Sequence, residues 1–428
     1  MTVMPRFDRR HTDDLISFVT KATSPYHAAS EAAGLLAAAG FRQLTETDEW
    51  DDEPGGKYVI RAGALVAWYV PESAGPATGF RVFGAHTDSP TLKVKPHPDT
   101  GSAGWRQVGV EIYGGVPRDT WLDRDLGLSG RLVTRDGQPH LVSINRPLLR
   151  VPRLAIHLDR AVNDGQVLDA QNHMTPLWGL GEPTEGELIA TVAATAGLDA
   201  DDVVGWDLVV HDVQPPAYLG KDNELLACPR LDNLVSVHAG AAALAAAAQE
   251  DPTHIPVLAA FDHEETGSES YTGAGGPILD TILRRVLAAR GAGVEDTARA
   301  FADSVVMSSD TGHAVHPNYV ERHEPGHHPV AGGGPILKVN VNQRYASEGL
   351  GQAVFVEACD RAGVPWQSYV NRNSLPCGTT IGPITAAKLG VLTVDVGIAI
   401  LSMHSSRELC GADDPALLAD AATAFLTG

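Results

Sequence analysis

The stretch Pro256-Val257-Leu258-Ala259-Ala260-Phe261-Asp262-His263-Glu264-Glu265-Thr266-Gly267-Ser268 changes abruptly from an apolar run to an acid, an imidazole and two adjacent carboxylates. A run this short reads as a buried strand, and the sharp change of polarity puts its last residues on the rim of a sheet, where α/β proteins collect their chemistry. Neighbouring glutamates repel each other, so a fold that keeps them together needs open solvent or a cation to take up their charge. Phe80-Arg81-Val82-Phe83-Gly84-Ala85-His86-Thr87-Asp88 repeats the pattern, and an imidazole followed two residues later by a carboxylate suits a metal ligand with its orienting partner. A third apolar run, Val305-Val306-Met307, leads to Asp310 and His313. Asp232, in Arg230-Leu231-Asp232-Asn233, stands at the start of an alanine-rich helix, where the ordinary role of an aspartate is to cap. His404 follows the apolar segment that ends at Leu401.

His86, Asp232, Glu264, Glu265, Asp310 and His404 all fall at or near the ends of apolar runs, and in a doubly wound sheet several such ends meet at one crevice. Two imidazoles and several carboxylates, with no thiolate, suit zinc, cobalt or manganese in a catalytic site that keeps positions open. One carboxylate more than a single ion needs points to a pair of ions.

The elements that must position these groups can be read along the chain. Thr12 is expected to cap a first helix and Ser24-Pro25 to start a second, alanine-rich one that stops at Gly40. Residues 57–70 read as a hairpin. From Lys93 the composition changes to Gly, Pro and short alternating segments joined by turns such as Asp136-Gly137, which predicts a mainly β insertion over 93–227. The catalytic domain is then discontinuous, 1–92 with 228–428, and its class is α/β, a mixed central sheet flanked by helices. Within the insertion, His157 lies among Leu154, Ile156 and Leu158, the setting of a core histidine.

With 428 residues, 43% of them hydrophobic, there is enough apolar material for two cores. The formal charge of −21 argues against nucleic acid or an anionic membrane surface as partner. The first ten residues lack the apolar core of a signal peptide, and no apolar span is long enough for a bilayer, so a cytoplasmic location is expected. Cys228, Cys359, Cys377 and Cys410 are scattered, which predicts reduced, mostly buried thiols.

Seven blocks in order carry a resemblance: Ala85-His86-Thr87-Asp88-Ser89-Pro90, Arg230-Leu231-Asp232-Asn233, Asp262-His263-Glu264-Glu265-Thr266-Gly267-Ser268, the run from Ser309 to Asn318, Gln343-Arg344-Tyr345-Ala346-Ser347, the run from Pro376 to Pro383, and Met403-His404-Ser405. Together they resemble the aspartyl aminopeptidase family, M18, over nearly the whole chain. The resemblance implies a dinuclear zinc aminopeptidase domain of the zinc-aminopeptidase type interrupted by a dimerisation domain, and dimers assembled into a tetrahedral dodecamer. It makes Asp232 the carboxylate shared by both ions, with His86 and Asp310 completing one and Glu265 and His404 the other. Cobalt or manganese are possible substitutes. Glu264 is then left as the general base, and Asp88 completes the catalytic pair by holding the His86 ring in the right tautomer. His313, Lys338 and Tyr345 match the pocket for the first side chain, which in many members favours aspartate or glutamate and in at least one relative favours neutral residues. His157 resembles the histidine that reaches into a neighbouring subunit's active site. Two other functions are compatible with the residues alone: a carboxypeptidase or deacylase, which needs a basic group for a substrate carboxylate, and a structural or cargo role for the closed shell.

Overall fold

Ile255–Phe261 and Phe80–His86 lie side by side as parallel strands near the middle of a nine-stranded sheet in the computed structural model, which describes residues 6–428. Every residue of Ile255–Phe261 is buried, which is why the run lacks the alternation of a half-solvated strand. Val305–Ser309 pairs parallel with Phe80–His86, and Leu392–Gly397 pairs parallel with Val305–Ser309. Ile336–Val339 runs antiparallel to Leu392–Gly397 and parallel to the edge strand Gln367–Val370. On the other side the expected hairpin, Gly55–Arg61 with Ala64–Val70, joins Ile255–Phe261 in antiparallel fashion, and Arg42–Gln43 closes that edge. The sheet is mixed, and four parallel strands end on the same side.

The pleat sends alternate residues to opposite faces, and both faces are covered. Phe83, Ala85, Leu258, Ala260, Met307 and Val394 share one core with helices Arg9–Lys21, Pro25–Ala38, Leu231–Ala247, Gly349–Ala362 and Asp414–Thr427. Phe80, Val82, Val257, Ala259, Phe261 and Val306 share the other with helices Ile278–Ala289, Val294–Ala302 and Ile381–Leu389. Phe80, Phe83 and Phe261 are among the largest fully buried side chains, each stabilising the sheet by roughly 1.5–3 kcal/mol relative to exposure.

These elements belong to one compact unit, made of the chain up to Asp88, Pro216–Met403 and Glu408–Gly428. A second unit comprises Ser89–Pro215 and His404–Arg407. It is built on a six-stranded antiparallel sheet in the order Pro139–Leu149, Leu126–Thr134, Val203–Asp212, Thr91–Ser102, Trp105–Tyr113, Leu177–Leu180. Its own core gathers Trp121, Leu128, Leu132, Leu188 and Leu208. Its strands reach 12 residues, longer than the short segments expected, because half-buried strands with Lys, Arg and Gly on the outer face break the apolar pattern without breaking the ladder.

Thr12 does not cap the first helix. Asp8 does, accepting from the Arg10 amide, while Thr12 lies buried inside the helix and donates its hydroxyl hydrogen to the Ala412 carbonyl. Immediately before Thr12 in the chain, His11 packs its ring 4.5 Å from that of His238 on helix Leu231–Ala247. Burial lowers the His11 pKa to about 4, and burial followed by the neighbouring His11 lowers that of His238 well below its ordinary value. Both rings are therefore neutral in the folded state and take up protons on unfolding once the pH falls below about 6.5. Their contribution is fully present above that pH and is lost as the pH drops toward 4. The expected result is a melting temperature that falls between pH 7 and pH 5 and falls less steeply in His11→Gln, checked by thermal unfolding of both proteins across that range.

Candidate metal centre and substrate pocket

Parallel strands that stop together deliver their next residues to one place. Phe80–His86 ends in His86, which is 1% exposed. Its Nδ1 lies 3.1 Å from the Asp88 carbonyl oxygen and 3.4 Å from Asp88 Oδ1, so Nδ1 carries the hydrogen and Nε2 is left as the electron-pair donor. Nε2 sits 3.2 Å from Asp232 Oδ1 and 3.6 Å from Asp310 Oδ1. Burial acts against a charged His86 ring, but hydrogen bonding to Asp232, Asp310 and Asp88 outweighs it and holds the pKa well above the ordinary value, so Nε2 also carries a hydrogen until a cation displaces it and frees the electron pair.

After Phe261 the chain turns through His263, whose φ of 64° lies in the left-handed region that histidine tolerates better than most residues. The turn starts a short 3₁₀ segment, Glu264–Thr266, whose first two amides point the same way. Glu264 N and Glu265 N each donate to the fully buried Asp88 carboxylate at 3.1 Å. Asp88 thus fixes the His86 tautomer and the backbone of both glutamates together, through charge-assisted hydrogen bonds. Burial, and then the nearby Asp232, pushes the Glu265 carboxyl well above its usual range; burial pushes Glu264 up to about 8, with His86 opposing and Asp310 and Asp232 adding to the rise.

Asp232 is not an N-cap. It lies within the first turn of helix Leu231–Ala247 with non-helical backbone angles, φ −77° and ψ 105°, and its amide donates to Glu408 Oε2 at 2.9 Å. The peptide bond from Asp232 to Asn233 is cis. Asn233 in turn donates from Nδ2 to the Ser309 carbonyl at 2.8 Å, tying this turn to the strand that carries Asp310. Asp310 is held by its own backbone: its amide donates to Val396 O, and a Cβ on Gly397 would lie 1.7 Å from the Asp310 carbonyl oxygen, so only glycine fits there. Glu408 and Asn233 escape sequence reading because their partners are remote.

Ligand atoms of His86, Asp232 and Asp310 lie within 4.8 Å of one another, and so do those of His86, Glu264 and Glu265. One imidazole and four carboxylates collected this closely, largely out of solvent, fit a divalent cation of the zinc, cobalt or manganese type. His404 packs in the second unit, where its Nδ1 donates to the Gly115 carbonyl at 3.2 Å, the arrangement that again leaves Nε2 as the electron-pair donor.

Lys338, Tyr345 and His313, the residues expected to line a pocket, are linked through Tyr369. Lys338 is 1% exposed, and its Nζ donates to the carbonyl oxygens of Asp310 at 3.0 Å and Thr311 at 3.3 Å. The Tyr345 ring lies 5.1 Å from the Lys338 ammonium, and Tyr369, paired beside Lys338, stacks edge-on with both Tyr345 and the exposed His313 at 6.2 and 5.9 Å. Cys377 adjoins the Tyr345 hydroxyl. Among the cysteines, Cys228, Cys359 and Cys410 are buried and Cys377 is half-buried, and none of the four is in a disulfide. His157 is not a core histidine. It is exposed on a turn of the second unit, beside Leu154, Ile156 and Leu158, which are 52%, 53% and 75% exposed.

A three-layer α/β unit whose parallel strands converge on an imidazole and four carboxylates defines the class as that of α/β units with a candidate divalent-cation site at their strand ends. The family model described as aminopeptidase I zinc metalloprotease (M18) matches residues 18–426. A Streptomyces avermitilis protein named probable M18 family aminopeptidase 2 is 64% identical over 99% of both chains, and one of the same name from Mycobacterium tuberculosis is 48% identical over 96% of this chain and 97% of its own. The cryo-EM structure of the Ape4 and Nbr1 complex contains a chain that superposes with a TM-score of 0.94 at 34% identity, covering all of this chain and 88% of that one. The S. cerevisiae mApe1 dodecamer gives a TM-score of 0.85 at 29% identity, covering 97% of this chain and 96% of that one. The chain belongs to the M18 family of aminopeptidases. Among the described residues no helix is long and apolar enough to cross a membrane.

Proposed function

We propose that this chain is a dinuclear zinc aminopeptidase that releases N-terminal residues from peptides, aspartate and glutamate in preference, with Glu264 as general base. The observation that carries the reading is the gathering of His86, Asp232, Asp310, Glu264 and Glu265 at the strand ends, in a chain whose relatives are aminopeptidases. Asp232 with His86 and Asp310 would hold one ion; Asp232 with Glu265 and, as the resemblance implies, His404 would hold the other. Bound there, the ions supply a polarised peptide carbonyl and a water of lowered pKa. Glu264 takes a proton from the attacking water on its carboxylate and returns it to the departing amine. Asp88 keeps the His86 imidazole and the two glutamate amides in register throughout. Lys338, Tyr345 and His313 form the wall that receives the first side chain.

The direct test is turnover of a peptide set differing only in the first residue, with free and acetylated N-termini, and with zinc, cobalt or manganese restored after chelation. Cleavage confined to free N-termini is expected; equal cleavage of acetylated peptides would favour the deacylase or carboxypeptidase reading.

Self-association through the second unit, in dimers and then a tetrahedral dodecamer, belongs to the same reading, as does a cytoplasmic location. The exposed apolar residues around His157 support an interface there, because a free surface rarely carries three such neighbours. His157→Phe is expected to keep zinc content and assembly size and to lose activity by about 10-fold or more. Co-assembly with Glu264→Gln should restore activity, since some sites then combine an intact His157 with an intact Glu264. Mixed assemblies with no recovered activity would count against a residue acting across subunits.

A further inference from the structure

Asp395 lies in the strand Leu392–Gly397, fully buried and outside the ligand cluster, in an apolar run where a carboxylate has no place unless it is well bonded. Its bonds come from three separate segments. Oδ1 accepts from Ser308 Oγ at 2.9 Å and from Thr380 Oγ1 at 2.5 Å, and Oδ2 accepts from the Ala346 amide at 2.6 Å. Ser347 Oγ closes the arrangement by accepting from the Asp395 amide at 2.9 Å and donating to its carbonyl at 3.3 Å. A Cβ on Gly382 would lie 2.2 Å from Oδ2, so the start of helix Ile381–Leu389 approaches the carboxylate as closely as glycine permits.

Each bonded segment has one neighbour in the site. Ser308 stands two residues before Asp310, Ala346 follows Tyr345, and Thr380 lies three residues after Cys377. Tyr345 and Cys377, whose thiol adjoins the Tyr345 hydroxyl, are carried on irregular chain, whereas Lys338 and the neighbouring Tyr369 stand on paired strands. Irregular segments have no ladder of their own to fix them, so an external clamp must set where their side chains stand. We propose that Asp395 is a positioning residue that clamps the 344–347 and 377–382 segments against the sheet and so sets the spacing of Tyr345 and Cys377 around the Lys338 ammonium. It rests, for its bearing on specificity, on the reading of that wall as the pocket for the first side chain.

The test uses the zinc-loaded enzyme. Alkylation of Cys377 in the native protein reports the wall without reference to catalysis, since the other three cysteines are buried. Asp395→Ala is expected to speed that alkylation by about 10-fold and to raise KM for an N-terminal Asp peptide by a similar factor, with kcat and zinc content within about 3-fold of the parent. Asp395→Asn should recover part of both effects, because its amide can turn its oxygen to the Ala346 N–H and its NH₂ to the two hydroxyls, which can accept. Thr380→Val removes one bond only and should shift both readouts in the same direction by about 3-fold, which keeps the test decisive if Asp395→Ala does not fold. Unchanged alkylation and KM in Thr380→Val and Asp395→Asn would overturn the clamp. A parent enzyme indifferent to the first residue would sink the pocket reading instead, and the alkylation rates would still decide whether Asp395 positions the wall.

Discussion

Glu264→Gln is expected to retain the fold and the zinc content of the parent while losing turnover by about 100-fold or more, because the substitution removes only the proton acceptor. The amide keeps the size and hydrogen-bonding reach of the carboxyl, and the main chain at this position stays anchored through the Glu264 amide to Asp88. Elemental analysis beside the rate decides the matter. Near-normal turnover would remove Glu264 from the role of base, and a loss of zinc equal to the loss of activity would make it a ligand, the alternative left open by its place in a cluster with His86 and Glu265. Asp232→Ala should behave differently, losing metal and activity together, since a carboxylate shared by two ions serves both. Asp88→Asn separates the third role: it weakens the hold on the His86 tautomer and the two glutamate amides at once, so zinc affinity should fall by about 10- to 100-fold with the ligands themselves intact.

The strands that deliver these groups were legible because they are buried on both faces. Phe80–His86, Ile255–Phe261 and Val305–Ser309 read as continuous apolar runs with polar ends, and a buried parallel strand has no other pattern to show. Where a role depends on distant partners, local signals misled. Asp232 sits where an aspartate ordinarily caps, and its place among the candidate ligands came from the set of strand ends rather than from its neighbours; its amide is held by Glu408, 176 positions away, and the turn around it is not helical. Thr12 looked like a cap for the same reason, and its hydroxyl instead reaches Ala412, 400 positions on. Asp395 gave the signal of an acid inside an apolar strand, but nothing local says that Ser308, Thr380 and Ala346 would meet on it. His157 shows the converse limit, since apolar neighbours mark a core and an exposed contact surface alike.

The second large effect concerns substrate charge. A chain with a formal charge of −21 repels an acidic peptide at a distance, but at physiological salt the Debye length of about 8 Å confines most of that repulsion to the surface. Local charge therefore decides, and Lys338 is a buried cation in the proposed wall. Two carbonyl oxygens, of Asp310 and Thr311, already receive hydrogen bonds from its ammonium, which carries three N–H donors; a substrate carboxylate would be the remaining acceptor. A charge-assisted bond of that kind is worth about 1.5–3 kcal/mol, so Lys338→Met is expected to reduce the ratio of kcat/KM for an Asp peptide over a Leu peptide by about 10- to 150-fold. The ratio must be taken at fixed ionic strength and beside zinc content, because losing the bond to the Asp310 carbonyl also loosens a proposed ligand, and that loss slows both peptides equally. An unchanged ratio would remove Lys338 from contact with the substrate and leave it as a brace for the Asp310 loop. A parent ratio below one would end the acidic assignment while leaving the aminopeptidase reading intact, since recognition of the free amine does not pass through this wall.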